Sequence, residues 1–294
     1  MKKLVKRVLR RVIKPVASRI RNLLDEDLTV PDFSKEVTAY SWLNWLLDTG
    51  VREAHGGLAP SYTWALLHTG HVAKTLGMRR ISAIEFGVAG GNGLLALENA
   101  AELVKQKMGI EVDVYGFDTG VGLPRPLDYR DLPNLYPEGE YRMDVDKLKK
   151  RLKHARLVLG LVEETVPKFL LSHPAPIGFM SIDVDYYTST VEILKVLECG
   201  QNLLMPRIHC YFDDILGMTF SEYTGERLAI AEFNNSHQMR KISPLFGLKH
   251  FLREPYSNQP WCEQMYMAHI FDHDLYGRSD GLMVPHTEGL NALK

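Results

Sequence analysis

Cysteine is scarce in this chain, and long apolar runs are absent from it. Only three cysteines occur in 294 residues, and they form no C-x-x-C pair. Buried thiols are therefore expected rather than a disulfide framework or a cysteine metal site, which favours a cytoplasmic protein. No uninterrupted apolar stretch approaches the roughly 20 residues needed to span a bilayer. Internal repeats and low-complexity tracts are also missing, so the sequence predicts one elaborated domain, or one domain with additions.

The formal net charge of −1 conceals a basic amino-terminal segment. Residues 1–24 contain nine lysines and arginines and no acid, which leaves a formal charge of −10 on the rest of the chain. Apolar residues recur there at helical spacing, with the cations on the other face. We predict a basic amphipathic helix at residues 1–26. It either lies on an anionic membrane surface, at the inner face of the membrane, or docks on its own domain.

The best-defined feature is the segment from Arg80 to Gly93, RISAIEFGVAGGNG. Its first half is apolar on both faces, as in a buried parallel strand, and the residues after the glycines show helical spacing. Glycines in such a turn permit positive φ and a close approach of the backbone to a ligand above the helix N-terminus. The spacing is not the G-x-G-x-x-G of dinucleotide-binding proteins. We interpret the turn as a site for a nucleotide-like cofactor; the alternative is a turn whose glycines serve only close packing.

The order of the remaining segments predicts the fold class. Strands alternate with helices up to about residue 234, and an apolar run at residues 265–272 has no helix after it. We predict an α/β fold with a doubly wound, mostly parallel, seven-stranded Rossmann-like sheet. The run at residues 265–272 is predicted as an antiparallel edge strand paired near the KISPL segment. Residues 27–79 are expected to form a helical lid or docking segment, and residues 80–294 the sheet domain.

Acidic residues follow the predicted strands. Asp118 ends the second strand, where a parallel nucleotide-binding sheet places its acceptor for ribose hydroxyls. Asp183 and Asp185 end one later strand, and Asp213 with Asp214 end the next. Neighbouring strands lie ~4.8 Å apart, so carboxylates from both can share one hard cation such as Mg²⁺. The alternative is capping of the following helices by Asp185 and Asp214. We favour a metal, because four crowded anions repel one another.

The segment after Asp118 is too long for an ordinary connection. Residues 119–144 include four prolines and three tyrosines. Loops of this length inside a compact domain are commonly functional. We therefore predict that residues 119–144 form an active-site flap.

Four motifs occur in order along the chain: IEFGVAGG, YGFDTGVGLP, IDVDYYTSTVEIL and YFDDILG. With an acid two residues before the first glycine, they resemble the class I S-adenosylmethionine (SAM) methyltransferases. More specifically, they resemble the macrocin/mycinamicin-type sugar O-methyltransferases, whose motifs read roughly E-x-G-V-x-x-G, F-D-S-F-E-G-L-P, D-G-D-x-Y-x-S-T and V-D-D-Y-G. The sequence departs from the class I glycine pattern at Ala89 and from S-F-E of the family at residues 119–121. Its flap also lacks the histidine that serves as a candidate base in the family.

The resemblance implies SAM-dependent O-methylation of a sugar hydroxyl with help from Mg²⁺ or a similar divalent cation. Cofactor contacts are expected at Glu85, Gly87, Ala89, Gly91, Asp118 and Asp183, the last near the sulfonium end. The metal ligands carried over from the family are Asp185, Asp213 and Asp214. Catalytic roles are expected for Asp185, Asp183 and Glu140, with Glu140 a candidate base and Glu163 and Glu164 as alternatives.

The expected acceptor is the hydroxyl of a glycan, a sugar nucleotide or a glycosylated natural product, lipid-linked glycans included. No nucleic-acid partner is expected. A catechol-like small-molecule O-methyltransferase, a nicotinamide oxidoreductase and a non-catalytic SAM-fold protein at a membrane remain alternatives. The sequence leaves open which hydroxyl is methylated, which group is the base, and whether the chain forms a homo-oligomer.

Overall fold

The computed structural model describes residues 39–53, 57–217 and 220–282, and the predicted basic helix at residues 1–26 lies outside these ranges. The α-helices of the described part are α1 (Ala39–Glu53), α2 (Pro60–Thr75), α3 (Asn92–Met108), α4 (Val145–Arg151), α5 (Val162–Leu171), α6 (Tyr187–Leu194) and α7 (Gly225–Ser236). The strands are β1 (Arg80–Phe86), β2 (Glu111–Asp118), β3 (Arg156–Leu159), β4 (Ile177–Ile182), β5 (Leu204–Phe212), β6 (Arg240–Pro244) and β7 (Met265–Ile270).

All these strands form one sheet in the order β3-β2-β1-β4-β5-β7-β6. Strands β1 to β5 are parallel, and β7 is antiparallel to both of its neighbours. The predicted doubly wound, mostly parallel sheet of seven strands is therefore confirmed. The antiparallel strand and its pairing with the KISPL segment are also confirmed, but β7 lies inside the sheet and β6 takes the edge. An edge position suits β6 because its Pro244 has no amide proton to donate.

Burial follows from the parallel arrangement. Every residue of β4 is buried, as is every residue of β1 after Arg80, which explains why both segments are apolar on both faces. Helix α2 packs against β1, β4 and β5 as well as against α1 and α3, so most of its surface is buried. The domain boundaries at residues 26 and 79 stay predictions. No helix among the described residues is both long and apolar enough to cross a membrane.

Candidate active site

A cavity of about 730 Å³ opens at the carboxyl ends of the parallel strands. It lies where the strand order reverses between β1 and β4, the usual ligand position in doubly wound sheets. The predicted site residues on its wall are Gly87, Ala89, Asp118, Glu163, Asp183, Asp185, Asp213 and Asp214. The cavity wall does not include Glu85, Gly91 or Glu140. One cavity thus joins the glycine turn to the carboxylates that follow β4 and β5.

Asp118 holds the turn that follows β1. Its Oδ2 atom accepts hydrogen bonds from the amides of Val88 and Ala89, both at 2.9 Å, and its Oδ1 atom accepts one from Gly120 at 2.6 Å. Ala89 has a φ of 43°, in the left-handed region that glycine adopts at less cost. The alanine therefore keeps a backbone conformation typical of glycine at the position where the sequence departs from the class I pattern.

The turn also brings β1 and β4 close together. At Gly87, a Cβ atom would lie 1.6 Å from the carbonyl oxygen of Asp183, so only glycine fits there. This contact fixes the start of the glycine turn beside the end of β4. Asp183 is consequently next to the surface on which the turn would hold a ligand.

Glu85 lies beneath the turn rather than on the cavity wall. The residue is only 2% exposed, and its Oε1 atom accepts a hydrogen bond of 3.0 Å from the Tyr62 hydroxyl. A Cβ atom at Gly93 would lie 1.9 Å from that same Oε1 atom. The Oε2 atom is buried and has no hydrogen-bond partner among the described residues. Burial raises the pKa of Glu85 well above its ordinary value.

The carboxylates after β4 and β5 crowd one another. Burial, followed by repulsion from Asp213 and Asp214, raises the pKa of Asp183 to about 8. Burial is also the main cause that raises the pKa values of Asp185 and Asp214. Such mutual repulsion in a partly buried cavity favours protonation of the acids or the arrival of a cation.

Neither Asp185 nor Asp214 caps the helix that follows it. The N-cap positions of α6 and α7 are Tyr186 and Thr224, and neither has a side-chain capping bond. The capping alternative is therefore wrong for both aspartates. Instead, the Oδ2 atom of Asp214 accepts a hydrogen bond of 3.0 Å from the amide of Asp185, which links the ends of β4 and β5.

Tyrosines and a glutamine hold the Asp213–Asp214 pair. The hydroxyl of Tyr136, in the flap, donates to Asp214 Oδ1 at 2.8 Å. The hydroxyl of Tyr211 donates to Asp213 Oδ1 at 2.7 Å, and the Gln264 amide donates to the Asp213 carbonyl at 2.8 Å. Within the described residues, no three His, Cys, Asp or Glu side chains are gathered tightly enough to enclose a metal ion. The aspartates are nevertheless the oxygen donors that a hard cation prefers.

Glu226 is a further carboxyl group that the sequence interpretation missed. It is fully buried in the first turn of α7, and its Oε2 atom accepts a hydrogen bond of 3.0 Å from the amide of Asp214. The next residue, Arg227, donates to the carbonyl of Ile215. The start of α7 thus fixes the backbone that carries Asp214. The available signal was an acid in the first helical turn after YFDDILG.

Asp131 ties the predicted flap to α6. This fully buried side chain accepts hydrogen bonds from the amide of Thr188 at 2.9 Å and from the amide of Leu127 at 2.8 Å. Tyr141, not the neighbouring Glu140, lines the cavity, and its φ is 58°. Ala89, Tyr141 and Asp185 are all non-glycine residues with positive φ on one cavity wall. Strain of this kind clusters at functional sites.

The chain is similar in structure to several solved proteins. CalS11, a calicheamicin methyltransferase, is 22% identical over 78% of this chain and 90% of CalS11, with a TM-score of 0.48. The O-methyltransferase NovP is 13% identical over 60% of this chain and 72% of NovP, with a TM-score of 0.46. An O-methyltransferase from Bacillus cereus in complex with SAH is 13% identical over 81% of this chain and 93% of that chain, with a TM-score of 0.38. No protein-family model and no curated protein matches the sequence.

Proposed function

We propose that the protein is a SAM-dependent O-methyltransferase that acts on a sugar hydroxyl. The observation that carries the proposal is the single cavity that joins the glycine turn and Asp118 to the carboxylates of Asp183 and Asp185. Its volume of about 730 Å³ suits a cofactor with part of an acceptor, since ligand cavities commonly measure ~300–1,000 Å³. A nucleotide-like cofactor on the turn would place its reactive end beside these acids.

Different groups of the chain would bind different parts of the cofactor. The backbone of the turn would hold the methionine part above the N-terminus of α3, while the Oδ1 atom of Asp118, which accepts one amide hydrogen bond, would accept another from a ribose hydroxyl. Asp183, placed against Gly87, would face the sulfonium end. When bound, SAM supplies a methyl group on a positively charged sulfur. A positive sulfur beside Asp183 would favour the ionised form of that carboxyl group.

We also propose that Asp185, Asp213 and Asp214 hold one divalent cation. A cation at such a site orients an acceptor hydroxyl and lowers its pKa. Tyr136 and the Asp185 amide fix the Asp214 carboxylate, and Tyr211 fixes that of Asp213. These hydrogen bonds hold two of the three proposed ligands in defined positions.

The acceptor proton needs a base beside the reacting oxygen. Asp183 and Asp185 line the cavity, as does the more exposed Glu163, whereas Glu140 and Glu164 do not. A base works best when its pKa lies near the working pH, and burial raises the pKa of Asp183 to about 8. We therefore prefer the carboxylates of Asp183 and Asp185 over Glu140, Glu163 or Glu164 as proton acceptors.

Methyl transfer from labelled SAM tests the proposal. Sugar nucleotides, lipid-linked glycans, glycosylated natural products and catechols are offered as acceptors, each with Mg²⁺ or with EDTA. We expect label on a sugar hydroxyl only in the presence of the cation. Calorimetry should show binding of SAM and S-adenosylhomocysteine (SAH), and no binding of NAD. Transfer to catechols alone would favour the small-molecule alternative, and NAD binding without SAH binding would overturn the proposal.

Residues 1–24 support a second proposal, reversible attachment to an anionic membrane surface. Nine cations beside an apolar stripe suit such a surface, with about 1 kcal/mol for each cation near it. The measurement is binding to vesicles that contain phosphatidylserine, with and without residues 1–24. Equal binding by the full chain and the truncated chain at low salt would exclude this role.

A further inference from the structure

We infer that Tyr141, in the flap, binds the acceptor sugar and determines which of its hydroxyl groups is methylated. The ring of Tyr141 would pack against the sugar ring, and its hydroxyl would donate to a sugar oxygen beside the one that reacts. The inference rests on the proposed function, because it concerns the acceptor of the methyl group. It deepens that function by assigning a residue to the selection of the acceptor.

Three tyrosines line the cavity, and they differ in what their hydroxyls bind. The hydroxyl of Tyr136 donates to Asp214 at 2.8 Å, and that of Tyr187 donates to Glu232 at 2.6 Å. A phenol has one proton to donate, so both of these protons are already used within the protein. The Tyr141 hydroxyl has no hydrogen-bond partner among the described residues, and its side chain is 53% exposed. Tyr141 is therefore the tyrosine of this wall whose proton is available to a ligand.

The backbone that carries Tyr141 is fixed by the base of the flap. The amide of Leu123 donates to the carbonyl of Glu140, and the amide of Gly139 donates to the carbonyl of Leu123, both at 2.9 Å. A Cβ atom at Gly122 would lie 2.4 Å from the Glu140 carbonyl oxygen, so the two sides of this base are in close contact. Tyr141 follows directly, and its φ of 58° is costly for a tyrosine. An exposed side chain on a constrained backbone suits a residue that binds a ligand.

Tyr141 lies near the groups that would act on the acceptor hydroxyl. The negative charges of Asp185, Asp214 and Asp183 all act on its phenol. Partial burial, followed by the charge of Asp185, raises the pKa of Tyr141, so the phenol keeps its proton at neutral pH. Ionised carboxylates only accept hydrogen bonds, whereas this phenol can donate one. The wall near the aspartates thus offers both a donor and acceptors to one ligand.

A sugar matches this combination of groups. Its ring has an apolar face of C–H groups and neighbouring hydroxyls that both donate and accept, while tyrosine has an apolar ring and a polar tip. A sugar that packs on Tyr141 could accept from the phenol at one oxygen and donate to Asp183 or Asp185 from the next. The hydrogen bond from Tyr141 would fix the rotation of the sugar in the cavity. That rotation decides which hydroxyl is aligned with the methyl group.

Two substitutions separate the hydroxyl from the ring. The probe is the sugar nucleotide, lipid-linked glycan or glycosylated natural product that takes up the most label in the methyl-transfer test. We expect its KM to rise about fivefold in Tyr141→Phe, the scale of one neutral hydrogen bond, and further in Tyr141→Ala. The product, analysed by nuclear magnetic resonance, should change from one methylated position to a mixture of neighbouring positions. SAH affinity, measured by calorimetry, should stay unchanged. Tyr129→Phe is the matched control, since Tyr129 is 69% exposed in the same flap and does not line the cavity.

Failure of this inference differs from failure of the proposed function. An unchanged KM in both Tyr141 variants, or an equal rise in Tyr129→Phe, would overturn the role of Tyr141 while the unmodified chain still methylates the sugar. Weaker SAH binding in Tyr141→Phe would also overturn it, because the residue would then support the cofactor or the fold. A raised KM with a single methylated position would overturn the selection of the hydroxyl. No transfer to any sugar by the unmodified chain would overturn the proposed function and this inference with it.

Discussion

The Oδ2 atom of Asp118 lies 2.9 Å from the backbone nitrogen of Ala89 and accepts its hydrogen bond. The end of β2 therefore holds the turn after β1. Ala89, with its φ of 43°, occupies a conformation that a non-glycine residue keeps only under constraint. The residue expected to bind ribose thus also preserves the shape of the surface on which the cofactor would lie.

Replacing Asp118 should consequently affect both binding and stability. In Asp118→Ala, the turn amides lose their acceptor, and we expect the free energy of unfolding to fall by ~1–3 kcal/mol. SAH affinity should weaken by at least ~1.5 kcal/mol, because the ribose acceptor is lost as well. Denaturant unfolding and calorimetry measure the two effects. Asp113→Ala, in the same strand, loses only an ion pair with the exposed Arg80 and should change neither quantity. Wild-type SAH affinity in Asp118→Ala would place the cofactor elsewhere.

Two glycines of the same turn should respond differently to alanine. A Cβ atom at Gly93 would meet Glu85 Oε1 at 1.9 Å, whereas one at Gly90 would have no protein atom within 4 Å. We expect Gly93→Ala to lower the free energy of unfolding by ~1–3 kcal/mol through overpacking, and Gly90→Ala to leave it nearly unchanged. Thermal melts of the ligand-free variants make the comparison. Equal melting temperatures for the two variants would mean that Glu85 is not confined against the start of α3.

The sequence predicts those parts of the site that depend on residues close together in the chain. A buried strand, a glycine turn and a helix follow one another between Arg80 and Met108, and acids at the ends of parallel strands meet at one edge of the sheet. The edge position of β6 was not predictable in this way, because it depends on pairing between segments far apart in the chain. For the same reason the sequence did not reveal the hydrogen bond between Tyr62 and Glu85, which lie 23 residues apart in the chain.

The flap shows another limit of local patterns. Its length and proline content indicated a functional loop, and Glu140 and Tyr141 stood out in it as chemistry-bearing residues. An irregular backbone gives no period from which to infer which of the two neighbours faces the cavity, and Tyr141 is the one that lines it. The anchoring of the flap by Asp131 depends on a contact with Thr188, 57 residues away. Only the folded chain reveals such contacts.

Stability should depend on pH through a buried histidine. The Nδ1 atom of His209 lies 3.0 Å from the Thr69 hydroxyl, and burial lowers the pKa of His209 to about 3. In the unfolded chain a histidine titrates near pH 6.5. Between these two pH values the unfolded chain binds a proton at this histidine and the folded chain does not. The contribution of neutral His209 to the free energy of unfolding is therefore complete above about pH 6.5 and is lost as the pH falls toward about 3.

Comparison with a variant isolates this contribution from that of the acids. Between pH 7 and pH 5, the difference in unfolding free energy between the wild type and His209→Gln should shrink by ~2 kcal/mol. Urea denaturation at the two pH values measures it. The exposed His250 provides the control, since His250→Gln should follow the wild type at both values. A constant difference for His209→Gln would show that His209 takes up a proton while the chain is folded.

The aspartates after β4 and β5 offer the test of the cation. If Asp185, Asp213 and Asp214 hold one divalent ion, then Asn at any of them removes an anionic ligand. Mn²⁺ affinity, measured by paramagnetic resonance, should fall at least about tenfold, and most methyl transfer should be lost. SAH affinity should change little, because the cofactor would rest mainly on the glycine turn and Asp118. Asp146→Asn, exposed in α4, should behave as the wild type.

Stability separates a metal role from a structural one in the same variants. Asp213→Asn keeps a carbonyl oxygen that accepts from Tyr211, so its fold should survive and make its loss of Mn²⁺ binding informative. At Asp185, burial and the charge of Asp214 raise the pKa. The Asp185→Asn substitution removes the ionisable group at this position and should therefore raise the melting temperature of the EDTA-treated protein near neutral pH. If the aspartates are only structural, the Asn variants should instead melt at lower temperatures, and each should lose activity only in proportion to the fraction of protein that unfolds. Full methyl transfer in EDTA, together with active Asn variants, would exclude the cation and leave Asp183 or Asp185 to act on the acceptor hydroxyl without it.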